Sequence, residues 1–230
     1  MTNEALFGGR SFAAFLFDMD GTLLSSIESA ERVWTAWALR HGLDVAAFLP
    51  TIHGVRAVET IRRQGLAGVN AEAEAAQLTI EEMADMDGVR PIGGVVSFLA
   101  SLPADRWAIV TSAPRALALL RLEAAGLPVP AVFVTAEDVT NGKPRPDCYQ
   151  LAARMLGVAA EDCLVFEDAP AGIEAGERAG AAVLVIRATH SHPLPTEHAA
   201  VDTYVGLSVV RDGAGAFTLV AEAHTPEPVA

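Results

Sequence analysis

Lysine is almost absent from this chain of 230 residues: of 16 basic side chains, 15 are arginine and one, Lys143, is lysine. Positive charge as a whole is scarce, with 16 basic against 29 acidic residues and a formal net charge of −13. That balance excludes binding to nucleic acid or to an anionic membrane, both of which need clustered cations. It leaves room for a small anionic substrate, which needs only a local positive site or a metal. Cysteine is scarce too. Cys148 and Cys163 form no CxxC pair, which excludes a disulfide framework and a zinc site and leaves both as small core hydrophobes. The Phe12–Phe17 run is too short to span a bilayer, and Met1–Ala5 holds no basic segment leading into an apolar one. The expectation is a soluble cytoplasmic protein. Internal repeats are lacking, and low-complexity sequence is limited to a general excess of alanine. What the chain does have is apolar residues, 51% of the total, enough to build a sizeable core as one large domain or one domain with an insertion.

Phe12-Ala-Ala-Phe-Leu-Phe17 reads as a strand buried on both faces, because its hydrophobicity is continuous rather than alternating. It ends abruptly in Asp18-Met-Asp20-Gly-Thr22, an expensive place for two carboxylates unless a cation or a reaction needs them. Ser25-Ser-Ile-Glu28 has the capping-box pattern and opens a predicted helix to about His41. A loop over Pro50–Arg56 leads into a helix through Ile61, and Ala71–Met86 is a third helical pattern. Asp87–Gly94, rich in Gly and Pro, marks a joint. From there helices and strands alternate: Val95–Leu102 helical, Trp107–Val110 strand, Pro114–Ala125 helical with Gly126 at the stop, Ala131–Val134 strand. A helix runs from Asp147 to Leu156, Cys163–Phe166 is a strand, a helix starts near Pro170, and Ala182–Ile186 is the last parallel strand. This order predicts an α/β fold, a doubly wound, Rossmann-like parallel sheet with an inserted all-helical cap. The core takes residues 1–24 and 89–230 and the cap 25–88. A hairpin over about 207–221 is expected at the sheet edge, and His224–Ala230 as a frayed tail.

Ligands of open parallel sheets sit outside the carboxyl ends of the strands. Those ends carry Asp18 and Asp20, Thr111 and Ser112, and Glu167 and Asp168; Lys143, in a Pro-rich loop, can reach the same rim. Crowded carboxylates call for a hard divalent cation, and Mg²⁺ is typically held by one or two carboxylates plus substrate phosphate. One Asp can then attack phosphorus, and a second acid can protonate the leaving oxygen and later deprotonate water. Lysine offsets phosphoryl charge as a compact point charge, and the Thr111-Ser112 hydroxyls and N–H groups bind the remaining oxygens. In a chain that otherwise uses arginine, the single lysine at this point marks a functional position, since the two cations are not interchangeable at a phosphate.

Asp18-Met-Asp20-Gly-Thr22, Val110-Thr111-Ser112, Gly142-Lys143-Pro-Arg-Pro-Asp147 and Val165-Phe-Glu167-Asp168-Ala-Pro-Ala-Gly172 resemble, in order, the four motifs of the haloacid dehalogenase superfamily. The helical insertion after the first motif is similar to the small cap of the subgroup (subfamily IA, C1 cap) that contains sugar-phosphate and polyol-phosphate phosphatases. Glu31–Trp37, Ile52-His53-Gly54, Ala113–Leu127 and Phe133–Glu137 look closer still to bacterial sugar phosphatases acting on hexose and hexitol phosphates. The resemblance implies Asp18 as nucleophile, Asp20 as general acid/base, and Mg²⁺ held by Asp18, the Asp20 carbonyl and Asp168, with Glu167 supporting or water-mediated. It implies a small phosphorylated sugar or polyol as substrate. His53, Gly54 and Arg56 in the cap loop read either as substrate contacts or as solvated, locally bonded residues, and a monomer or weak homodimer is expected. Relatives commonly carry aspartate near position 25, where this chain has Ser25, a hinge position. A β-phosphoglucomutase would share the core, but its expected cap lysine is missing here; a non-catalytic phosphate-binding module on the same fold would have lost a rim residue.

Other residues have plainer readings. Asp18-Met-Asp20-Gly is also turn-forming sequence, and Thr111-Ser112 and Glu167-Asp168 also suit helix N-termini. Trp34 and Trp37 read as packing within the cap, with sugar stacking as the alternative. His190 and His192 have the spacing of a metal pair, but the loop Thr189–Pro195 reads as surface. Arg32, Arg62, Arg63, Glu72, Glu74, Glu81 and Glu82 read as solvated helix faces.

Overall fold

The computed structural model describes residues 3–190, 196–213 and 215–222. In chain order the elements are β1 (Asn3–Ala5), β2 (Ser11–Phe12), β3 (Ala14–Phe17), β4 (Leu24–Ser25), then α1 (Ile27–Arg40), α2 (Val45–Phe48), α3 (Ala57–Arg63) and α4 (Ala71–Met83). There follow β5 (Arg90–Pro91), α5 (Val95–Ser101), β6 (Trp107–Val110), α6 (Arg115–Ala124), β7 (Val132–Val134), α7 (Asp147–Met155), β8 (Cys163–Glu167), α8 (Pro170–Arg178) and β9 (Ala182–Ile186). The last strands are β10 (Ala199–Val201), β11 (Leu207–Arg211) and β12 (Phe217–Glu222).

Six strands form a parallel sheet in the order β10-β9-β8-β3-β6-β7. Their side chains alternate between two buried faces, as a period of two requires. Phe15, Phe17, Ile109, Phe133, Phe166 and Leu184 meet α5 and α6 on one face through Phe98, Leu99, Leu117 and Leu122. Ala14, Leu16, Val110, Val134, Val165 and Val185 meet α7 and α8 on the other through Tyr149, Ala152 and Ala175. Burial on both faces is why these strands read as continuous apolar runs. The first of them, β3, lies mid-sheet between β6 and β8, so the chain winds outward from it in both directions and opens a crevice at its carboxyl end.

Helices α1–α4 share a separate hydrophobic cluster built on Val33, Trp34, Trp37, Phe48, Ile61 and Leu78. The chain enters and leaves this block through a two-stranded ladder in which Leu24 faces Pro91 and Ser25 faces Arg90. Among the described residues no helix is long and apolar enough to cross a membrane.

The structure departs from the sequence reading in several places. The run Phe12–Phe17 is two strands: Ser11–Phe12 pairs with β12, and only Ala14–Phe17 enters the main sheet. The 207–221 hairpin is not at the main sheet's edge. It forms a second, antiparallel sheet with β1 and β2 and seats Leu207, Phe217 and Leu219 on the α5 face. Ala182–Ile186 is not the last parallel strand, because Ala199–Val201 adds beyond it; that segment is too short and too alanine-rich to announce itself. The expected tail His224–Ala230 lies outside the described residues. Ser25-Ser-Ile-Glu28 forms no capping box: Ser26 caps α1 without a side-chain bond to the helix, and Glu28 pairs with Arg90.

Candidate active site

Asp18 is the first residue past β3, and its N–H donates to Phe166 O at 3.0 Å, which aligns the ends of β3 and β8. Asp168 is the first residue past β8, and Glu167 the last within it. One carboxylate oxygen from each of Asp18, Glu167 and Asp168 lies within 4.8 Å of the others, and all three residues are buried. Lys143 enters from the loop before α7. Its Nζ donates to Asp18 Oδ1 at 2.5 Å, to Glu167 Oε1 at 2.7 Å and to Val110 O at 3.1 Å. At 1% exposure this is the deepest charge among the described residues after Glu167, and an ion so placed persists only with partners on every side.

The two last carboxylates have different surroundings. Glu167 has both oxygens occupied: Oε1 accepts from Lys143 and from Tyr149 Oη at 2.7 Å, and Oε2 from the N–H groups of Asp168 and Ala169. It therefore anchors Lys143 and the turn, which fits a supporting role better than direct ligation. Asp18 Oδ2, by contrast, is buried with no hydrogen-bond partner. Asp168 accepts from Thr22 Oγ1 at 3.3 Å. Burial, then the charge of Glu167, pushes the Asp18 carboxyl up to about 7. Burial, then Asp18 and Glu167, holds Asp168 well above the ordinary carboxylate range. Burial works against the charge on Lys143, but Asp18 and Glu167 outweigh it and raise the ammonium's pKa. Carboxylates this crowded, with one oxygen unsatisfied, fit a small divalent cation. Two motif glycines make the crowding possible. A Cβ on Gly21, at φ +90°, would stand 1.9 Å from Asp168 Oδ2, and one on Gly172 would stand 1.6 Å from Glu167 Oε1.

Above this rim a cleft opens between the sheet and the helical block, lined by Asp20, Ser26, Ile27, Trp34, Ile52, His53, Gly54, Glu82, Ser112, Leu117 and Arg121, with Asp168 at its foot. Thr111 is buried, its Oγ1 accepting from Ala113 N at 3.0 Å, while Ser112 Oγ donates across the cleft to Gly54 O at 3.0 Å. Helix α6 is capped by Pro114 rather than by either hydroxyl. His53 lines the cleft, and burial lowers its pKa against the opposing charges of Glu31 and Asp20. Trp34 both packs in the block's cluster and lines the cleft.

Arg56 is not in the cleft lining. It pairs with Glu59 and donates to Val139 O and Thr140 O, on the loop leading to Lys143. Glu82 is not solvated but buried at 6% exposure, and Glu74 bonds Trp37 Nε1 at 2.9 Å. His190 is half-buried rather than on the surface, its Nε2 donating to Asp168 O at 2.8 Å; His192 lies outside the described residues. Sequence reasoning missed Arg121. It is 4% exposed and donates to Asp20 Oδ1 at 3.0 Å and to Glu82 Oε1 at 3.1 Å. The available signal was an arginine interrupting an apolar helix face between Leu117, Ala118 and Leu122.

A model of the haloacid dehalogenase-like hydrolases matches residues 12–180. The chain is 43% identical over 183 residues to hexitol phosphatase A of Escherichia coli (strain K12), covering 78% of this chain and 85% of that one. It is 34% identical over 196 residues to 2-deoxyglucose-6-phosphate phosphatase 2 of Saccharomyces cerevisiae, covering 76% and 80%. A crystal structure of a hydrolase from Pseudomonas syringae shares the fold, with a TM-score of 0.73 at 22% identity over 83% of this chain and 94% of that one.

Proposed function

The chain belongs to the haloacid dehalogenase-like hydrolases, and from this we propose that it is a Mg²⁺-dependent phosphatase of a small sugar phosphate or sugar-alcohol phosphate. The observation that carries the reading is Asp18: one oxygen clamped by Lys143, the other buried and unpartnered at the carboxyl end of β3. In this mechanism Asp18 Oδ2 attacks phosphorus in line, the bond from phosphorus to the sugar oxygen breaks, and Asp20 gives that oxygen its proton. Asp20, now a carboxylate, takes a proton from a water that attacks the aspartyl-phosphate, and phosphate leaves as Asp18 is regenerated. Lys143 carries positive charge beside the phosphoryl oxygens throughout, held in place by Glu167. The cation's ligands would be Asp18, Asp168 and the Asp20 carbonyl, and when bound it supplies the positive charge that lets an anionic phosphate approach two carboxylates.

The helical block 25–88 acts as a cap on the core 1–24 and 89–230, hinged at the β4–β5 ladder and closing to exclude water. The cleft's mixture of Trp34, Ile52 and Leu117 with Ser26, His53, Glu82 and Arg121 suits a leaving group of carbon chain and hydroxyls. The likeness to hexitol phosphatase A favours a hexitol or hexose. A site of action in the cytoplasm agrees with two free, buried cysteines.

The test is phosphate release from hexitol, hexose, pentose and glycerol phosphates, with Mg²⁺ or with chelator. Wild type should turn over at least one of them only with Mg²⁺, and Asp18→Asn should lower that rate by more than about a thousandfold. Undiminished activity in Asp18→Asn, or no turnover of any monoester, would refute the assignment.

A further inference from the structure

Arg121 is the one arginine buried among the described residues. It stands on α6 in the α/β body, and its two acidic partners belong to different parts of the fold. Asp20 lies in the loop after β3, and Glu82 lies at the end of α4 in the helical block. Asp20 Oδ1 accepts a second hydrogen bond, from Ser26 Oγ at 2.6 Å, and Ser26 is the N-cap residue of α1. Both bonds therefore fall on the same oxygen. Among the described residues no hydrogen bond reaches Oδ2.

A carboxylate pinned at one oxygen by a hydroxyl and a guanidinium has little freedom to rotate, so its other oxygen is presented in one direction. Stability does not explain the arrangement, because buried ionic clusters are often no more stabilising than apolar replacements of the same volume. Orientation does explain it. We propose that Arg121 is a positioning residue: with Ser26 it pins Oδ1 of Asp20 so that Oδ2 carries the proton to the leaving oxygen. Glu82 makes this pinning conditional on a closed helical block. The inference rests on the phosphatase reading and adds to it a contact, Glu82 to Arg121, through which closure orders the acid. When the block lifts, Arg121 loses one partner and Ser26 moves with the start of α1, so Asp20 is held least when no substrate is enclosed.

The experiment compares kcat/KM for the alkyl phosphate turned over fastest with kcat/KM for p-nitrophenyl phosphate. This parameter reports steps up to departure of the leaving group; an alkoxide needs the acid there, and a nitrophenolate does not. Asp20→Asn should lower the alkyl-to-aryl ratio strongly. Arg121→Met should lower it in the same sense by about tenfold or more, Arg121→Lys should recover part of the loss, and Glu82→Gln should give a smaller decrease. Arg121→Met leaves Glu82 buried without its partner, so Arg121→Met/Glu82→Met is measured beside it. The double variant should match the single one in ratio, because the two residues act through one contact. If Asp20→Asn lowers the ratio while the Arg121 and Glu82 variants leave it at the wild-type value, the inference fails and the phosphatase reading stands. If wild type releases no phosphate from either substrate, that reading fails and takes the inference with it.

Discussion

Asp18 and Asp20 leave one strand two residues apart and meet opposite surroundings. Asp18 is sealed in with Lys143, Glu167 and Asp168, while Asp20 reaches into the cleft between Ser26 and Arg121. The proposed mechanism gives them different work to match, a covalent bond at a fixed point for Asp18 and the movement of a proton for Asp20. The tightest constraint on this cluster comes from a residue with no side chain. Gly172 sits so close to Glu167 that replacement by alanine must displace the carboxylate, and Glu167 in turn holds Lys143. Gly172→Ala should destabilise the chain by about 1–3 kcal/mol, the usual range for overpacking, and lower kcat by about a hundredfold through misplacement of Lys143. Urea unfolding and steady-state kinetics check the two parts. An unchanged kcat would show that Glu167 does not set the position of the lysine.

Among the elements, several polar contacts join the helical block to the α/β body, beside the packing of Met83 and Met86 on its core. Ser112 donates to Gly54 O, Arg121 to Glu82, and Arg56 to the carbonyls of Val139 and Thr140. The sequence suggests Arg56 as a substrate ligand because it follows His53-Gly54 in a cap loop. The fold instead directs it to the segment that leads to Lys143. Arg56→Ala should therefore increase amide hydrogen exchange over residues 139–141 and 52–56 by several-fold. It should also lower kcat/KM by the same factor on sugar and aryl phosphates, because closure is common to both. Unchanged exchange would count against a latch. The two-residue β4–β5 ladder is equally invisible in sequence, since neither Leu24-Ser25 nor Arg90-Pro91 is long enough to carry a strand period.

At the scale of the whole molecule, the concentration of buried negative charge makes stability depend on pH and, on the proposed reading, on a bound cation. Burial and Glu167 raise the Asp18 pKa to about 7 in the folded chain, against about 3.9 for an unfolded aspartate. Between those values the native state keeps a proton that the unfolded chain has lost. Stability from this group is therefore present below about pH 4 and falls as pH rises through about 7. Asp168, raised by burial and by Asp18, acts in the same sense. A divalent cation bound as proposed would take the place of the proton, so its stabilising effect should grow with pH. Thermal unfolding with Mg²⁺ or with chelator should show a gain in Tm that is larger at pH 8 than at pH 5.5. A gain that shrinks with rising pH would contradict the assignment of these acids to one cation site.

From the sequence by itself the sheet, the inserted helical block and the rim residues Asp18, Asp20, Thr111, Ser112, Lys143, Glu167 and Asp168 were all legible. Most of these rest on local properties, an apolar run and the polar residue at its end, joined by the rule that a parallel sheet collects its ligands where its strands stop; Lys143 stands out as the one lysine, in a Pro-rich loop. The tertiary structure decided what depends on packing between distant segments. Asp20 and Arg121 lie 101 residues apart, and Arg121 and Glu82 lie 39 apart; no periodicity links them. Ser26 stands at the helix N-cap, where a serine hydroxyl ordinarily accepts from a free backbone N–H, but it donates instead to a carboxylate that the fold brings within 2.6 Å. The same holds for the C-terminal hairpin, whose sequence specifies two strands and a turn but not which sheet they join. Local patterns name the elements and their reactive ends; which buried charge faces which is settled only when those elements close on one another and exclude water.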